Sequence, residues 1–210
     1  MSSFLEAYQR QPKLFIDLPS KGKFYQHGNT VADGQSVQIP VFGMNAMDEI
    51  LFKTPDALFT GKATADVIHS CIPTITDPWN LVGYDIDFVL IAMRIATYGD
   101  KMPISSVCPA WNAGNESQIS LQKVLEGVDN YPVDFNFNIK DLTFNVKPLS
   151  YKQTTDFSIE NYTNERELFQ ISKIEDDTER SVAQQEVYKK QNDLNIRLAI
   201  SYIDSIQNSD

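Results

Sequence analysis

The sequence predicts an α+β fold: a mixed domain of small β-sheets and hairpins around a buried central helix, followed by a helical C-terminal arm. Three observations carry that expectation. Residues 84–98 place apolar groups around most of a helical circumference and stop at Gly99, the residue that most readily ends a helix. Short alternating runs occur at Val37, Ile39 and Val41, and again at Phe135, Phe137, Ile139 and Leu142, Phe144, Val146, which is the period of half-buried strands. From about Ser150 the chain turns polar and helical, and Val187, Leu194, Leu198, Tyr202, Ile203 and Ile206 approximate one face of a long amphipathic helix. The expected division is a mixed core domain over 1–150 and a helical arm over 151–210.

Each element has its own local reason. Leu14-Phe15-Ile16 leads into the turn-forming Pro19-Ser20-Lys21-Gly22 and then Phe24-Tyr25; after His27-Gly28-Asn29 comes the run to Val41, so 14–42 reads as a hairpin or small sheet. Asn45 is placed to cap a helix from Ala46 to Phe52 with Asp48 at its third position. Thr54-Pro55-Asp56 supplies a cap, a proline at the first helical site and an acid in the first turn of the next. A third helix is expected from about Ala63 to Cys71, ending near Pro73, and Asp77-Pro78 opens a further turn. Within the buried helix Arg94 is expected to pair with Asp85 or Asp87, because buried charges are normally compensated. Residues 100–150 return to short extended pieces, among which 134–147 reads as a β-hairpin turning at Lys140-Asp141 and stopped by Pro148. The acidic segment from Glu175 to Arg180 marks a break or a helix start. The last helix then packs on the preceding one as an αα-hairpin or docks on another chain.

Composition excludes several classes of function. A chain of 210 residues that is 42% hydrophobic, with 12 Phe, 9 Tyr and 2 Trp, has the apolar surface to fold rather than remain disordered. The net charge is −10, and the densest basic stretches are only Lys189-Lys190 and Lys21-Gly22-Lys23, so nucleic acid is not an expected ligand. The first twenty residues have no basic start followed by an apolar run and cleavage site, and no stretch of about 18 apolar residues occurs anywhere. A soluble chain made in the cytoplasm, without a membrane partner, is expected. Two cysteines, Cys71 and Cys108, cannot build a disulfide framework.

The residue types that carry chemistry are sparse. His27, His69, Cys71 and Cys108 are the imidazoles and thiols, and Cys108-Pro109-Ala110-Trp111 puts an indole where a zinc knuckle needs its second sulfur. His69 and Cys71 are two residues apart and point to different faces of a helix, so the rival reading, a small metal-dependent or Cys/His hydrolase, lacks a dyad. No nucleophile elbow, P-loop, dinucleotide fingerprint or H-E-x-x-H motif is present. Acid pairs such as Asp85/Asp87 and Asp176/Asp177 are unremarkable in a chain with 28 acids. No catalytic residue, cofactor or metal is therefore expected. The residues expected to meet a partner are Phe24 and Tyr25, on a turn that is either a docking loop or a self-packing corner, and Leu194, Leu198, Tyr202 and Ile206 on the arm.

Four of these segments, taken in order, resemble a known family. Leu14-Phe15-Ile16-Asp17-Leu18-Pro19-Ser20-Lys21-Gly22-Lys23-Phe24-Tyr25 is the first, and Asp48-Glu49-Ile50-Leu51-Phe52-Lys53-Thr54-Pro55-Asp56-Ala57-Leu58 the second. Arg94-Ile95-Ala96-Thr97-Tyr98-Gly99 and Lys147-Pro148-Leu149-Ser150-Tyr151-Lys152 follow. Together they look like the landmarks of the T4-type phage baseplate hub assembly family. The resemblance covers roughly residues 14–152, and the arm carries no specific landmark. It implies a non-enzymatic role in building the hub of a contractile-tail baseplate, as an assembly factor or a minor structural component. The implied partners are other baseplate hub proteins and the tape-measure protein. The implied location is the host cytoplasm during assembly or the tail baseplate of the virion. Some relatives hold a C-x2-C pair where this chain has Cys108 and Trp111, a departure that argues further against a metal.

Overall fold

The computed structural model describes residues 10–25, 38–128 and 135–208. His27, Gly28, Asn29, Val37 and Asp134 lie outside them, so the readings that rested on those five positions are not addressed by it. The fold is α+β, with seven helices and three small antiparallel sheets among the described residues.

The first sheet is the pair expected at 14–42. Strand β1 (Leu14–Ile16) runs antiparallel to β2 (Ile39–Val41), with Leu14 opposite Val41 and Ile16 opposite Ile39. Helix α1 (Ala46–Phe52) begins with the expected capping box: the Asn45 side chain accepts from the amides of Met47 and Asp48, and the Asp48 carboxylate accepts from the Asn45 amide. Helix α2 (Pro55–Phe59) starts one residue after Thr54, but the Thr54 hydroxyl donates back to the Ile50 carbonyl instead of capping it. Helix α3 (Lys62–Cys71) is followed by a short 3-10 turn at Pro78–Asn80, which Asp77 caps through the Trp79 amide.

Helix α4 (Gly83–Tyr98) is the central element. It packs with α3 and the first sheet on a core that includes Ile68, Ile72, Ile75, Leu81, Val89 and Met93, each almost without exposure. Burying one such side chain contributes roughly 1.5–3 kcal/mol. Close approach is built in at Gly43, where a Cβ would lie 2.8 Å from the Ala96 carbonyl oxygen. Arg94 corrects an expectation. Asp87 is exposed, Asp85 is engaged elsewhere, and the Arg94 guanidinium instead lies over the Tyr98 ring, 4.6 Å from its centroid. The reason is geometric: positions 85 and 87 are about two turns or more from 94 along the same helix, and only residues three or four apart are direct neighbours on a helix surface.

Residues 100–150 are more regular than expected. Strands β3 (Lys101–Val107) and β4 (Gly114–Ser120) form a long two-stranded hairpin, and α5 (Leu121–Val128) follows directly and packs Leu121 and Leu125 inward. The expected hairpin at 134–147 is β5 (Phe135–Ile139) and β6 (Leu142–Val146), turning at Lys140-Asp141. The arm opens with α6 (Tyr151–Ile171), whose capping box joins Ser150 and Gln153. Helix α7 (Asp177–Ser201) returns antiparallel to it, capped by Asp176. The expected continuation of that helix through Ile206 is corrected: the helix ends at Ser201, and β7 (Ile203–Asn208) pairs with β6 as the third strand of the sheet. Ile203 and Ile206 suit either period, and the edge of β6, supplied from 60 residues away, decides for strand. No helix among the described residues is long and apolar enough to cross a membrane.

Candidate partner-docking surfaces

The segment expected as a docking loop or a self-packing corner is built from successive turns. Successive turns link the Lys21 amide to the Leu18 carbonyl, Lys23 to Ser20 and Tyr25 to Gly22, with Lys21 and Gly22 in the left-handed region at φ 50° and 75°. Asp85, fully buried at the start of α4, holds this corner from inside. Its carboxylate accepts from the Ser20 amide at 3.0 Å and from the Tyr25 hydroxyl at 2.5 Å, and the Tyr25 oxygen accepts in turn from the Val82 amide at 3.1 Å. Burial raises the Asp85 pKa above the ordinary carboxylate range, opposed by the hydrogen bonds from Ser20 and Tyr25. Burial together with the Asp85 charge raises that of Tyr25 as well. Tyr25 therefore points inward as a half-buried anchor, and Phe24 sets its ring edge-on to Tyr84 at 6.4 Å.

The corner borders a groove of about 980 Å³ whose far wall belongs to the β5–β6 hairpin and the start of α6. Lys23, Phe24 and Tyr25 line one side, and Lys147, Pro148 and Lys152 the other. Two of the four sequence landmarks are thus brought together across it. The second of them is fastened by the Tyr151 amide, which donates to the Leu81 carbonyl, and by the Tyr151 ring stacked on Trp79 at 5.3 Å. Lys147 pairs with Asp204 at 3.2 Å and Lys152 with Asp156 at 3.1 Å.

On the arm, the expected contact residues divide. Leu194 is buried in the seam between α6 and α7, and Leu198 is half-buried on the same side. Tyr202 and Ile206 are 42% and 54% exposed. The seam also holds amides: the Asn164 side chain donates to Gln191 at 3.2 Å, and Gln191 donates to Asn161 at 2.8 Å. Lys190 with Glu167 and Arg197 with Glu160 flank it. Val182, Tyr188, Ile196 and Ile200 face outward from α7.

A surface that sequence reasoning missed is the tip of the β3–β4 hairpin. Trp111 is 84% exposed there, with Val107 and Cys108 also open to solvent. Polar strand residues hid the hairpin, but an indole in a Pro-Ala-Trp-Asn loop was the available signal.

Of the thiols and imidazoles, Cys71, Cys108 and His69 lie among the described residues. Cys71 is fully buried beside Arg10 and Asp48, and burial pushes its thiol up to about 11. The His69 Nδ1 lies 3.1 Å from the Ile75 carbonyl oxygen. Arg10 also reaches Ser70, the Gly43 carbonyl and Asp48, which makes this cluster a structural tie. Among the described residues no three His, Cys, Asp or Glu side chains cluster as a metal site.

The sequence profile of the T4 bacteriophage base plate protein family matches residues 16–210. The chain belongs to that family. The match includes the residues of α6, α7 and β7, beyond the point where the sequence landmarks had stopped. Membership implies interaction with other phage baseplate proteins. No curated protein and no solved structure matches the chain significantly.

Proposed function

We propose that this baseplate family member is a non-enzymatic hub assembly protein that works through contacts with other hub proteins, the tape-measure protein among the candidates. Family membership over residues 16–210 carries the reading. The distribution of exposed apolar side chains supports it: Trp111 on the hairpin tip and Ile196 and Ile200 on α7 lie apart from the core, as multi-partner contact surfaces do. On length, the chain is taken as most similar to the gene-26 product within the family, with the gene-51 product next. The reading places the protein in the host cytoplasm during assembly, with or without retention in the finished tail.

Against the hydrolase alternative, Cys71 is a buried thiol of raised pKa and so a poor nucleophile, the His69 Nδ1 faces a backbone carbonyl, and Cys108 stands exposed at a hairpin tip. Co-expression with each candidate hub protein, followed by size-exclusion chromatography, tests the proposal. Co-elution that is lost in the Trp111→Ala or Ile196→Asp variant is the expected result. Absence of co-elution with every hub and tape-measure candidate removes it, and mass spectrometry of purified virions separates a retained component from a transient factor.

A further inference from the structure

We infer that the apolar face of the β5–β6–β7 sheet is a homodimer interface, covered by the same face of a second copy of this chain. Residues directly opposite in an antiparallel ladder share a face. The register sets Phe135 opposite Val146, Phe137 opposite Phe144, Ile139 opposite Leu142, and Ile206 opposite Phe144 from the other side. One face is therefore apolar across β5 and β6 and at Ile206, with Asn208 at its corner opposite Leu142, whereas Asn136, Asn138, Asn145 and Ser205 take the other. Phe135, Phe137, Ile139, Leu142 and Ile206 are each between 41% and 54% exposed. The Phe137 and Phe144 rings lie within 3° of parallel, 5.1 Å apart, and make a flat platform at its centre.

Area and charge point to a second copy as the occupant. About half the surface of five large side chains amounts to roughly 450 Å², taking about 200 Å² for each. A standard interface takes about 800 Å² from each partner, and homodimers make about 65% of it apolar, or roughly 500 Å². The face supplies nearly all of that. Its two ends carry matched charges: Lys140 and Asp141 at the turn, Lys147 and Asp204 at the opposite end. A two-fold axis across the strands lays the turn of one copy over the far end of the other, and each end, with one cation and one anion, carries no net charge. Neither end therefore sets like net charge against like across the contact. Two sheets packed this way sit about 10 Å apart, with room for one interdigitated layer of side chains.

The purified full chain, without any baseplate partner, provides the test. Light scattering after size exclusion should give twice 23.8 kDa at about 100 µM. Phe137→Asp with Ile206→Asp should weaken the dimer about 100-fold or more, while Asn138→Asp on the polar face leaves it intact. A thermal melt by circular dichroism confirms that each variant folds, and Phe137→Ser with Ile206→Ser serves as the milder pair where the aspartates do not. A wild-type chain that is monomeric at that concentration, or a dimer that survives the folded double variant, overturns the inference. A monomer whose face is instead occupied by a different baseplate protein overturns it equally.

Discussion

Tyr25 donates its phenolic hydrogen to Asp85, 60 residues along the chain, and the carboxylate that receives it has no exposure to solvent. The contact joins the segment at 14–25 to the start of the central helix. Replacing Tyr25 with Phe leaves the ring in place but strips the donor to Asp85 and the acceptor of the Val82 amide. The expected loss is about 1–3 kcal/mol in urea unfolding. A change within about 0.3 kcal/mol would mean that the corner is held by packing alone.

The same carboxylate gives stability a pH slope of known sign. Its folded pKa is raised by burial above the ordinary 3.8, so the folded state holds a proton that the unfolded state releases first. The stabilising contribution is whole below 3.8 and is lost as pH rises through the folded value. Asp85→Asn removes this titration, and the difference between variant and wild-type unfolding free energies should shift in the variant's favour on going from pH 4 towards neutrality. A difference independent of pH would contradict the assignment.

The two thiols should separate cleanly. Cys108 is exposed at the hairpin tip and Cys71 is fully buried with its thiol pushed up to about 11. A thiol reagent at pH 8 should modify one equivalent rapidly, and the second only after denaturant is added. Cys108→Ser should abolish the fast phase.

Trp111 is 84% exposed, so Trp111→Ala should change stability by less than about 0.5 kcal/mol. Loss of hub-protein capture without a shifted melt separates a docking residue from a structural one. A melt lowered by several degrees would place the indole in the fold's own support instead.

Removing residues 203–208 should leave the helices intact by circular dichroism while exposing the edge of β6. The β5–β6 pair is then a lone hairpin, a marginal structure in water, and amide exchange in 135–146 should accelerate at least about tenfold. Deletion from about 176 onward takes the same strand away along with α7, so a folded 10–128 core with a loosened hairpin is the expected product.

Legibility in the sequence followed the range of the interactions. The caps at Asn45, Asp77 and Ser150 are local, and the chain announces them within four residues. Helix α4 was visible because apolar residues cover most of its surface. The β3–β4 hairpin stands in solvent, with nearly every residue of β4 exposed, so no alternation marks it. Strand β7 depends on β6 for its hydrogen bonds, and nothing in Ile203 to Asn208 specifies that edge. Among the candidate contact residues, the aromatic character of Tyr25 was legible but not its direction. A buried aspartate 60 positions away decides that it faces inward. The same holds for Leu194, which is occupied by the arm's own seam while Ile206 stays open.

The amides of Asn161, Asn164 and Gln191 also turn the arm into a measuring device. Helix α6 travels about 30 Å outward and α7 nearly 40 Å back. Sliding one past the other by a turn would press those amides against leucine and valine, so the phase of the two helices is locked. That phase determines where the polypeptide re-enters the sheet. A single residue inserted between Gln191 and Ser201 would rotate the final strand by about 100° away from its berth beside β6, whereas seven inserted residues would restore the angle but overshoot by about 10 Å.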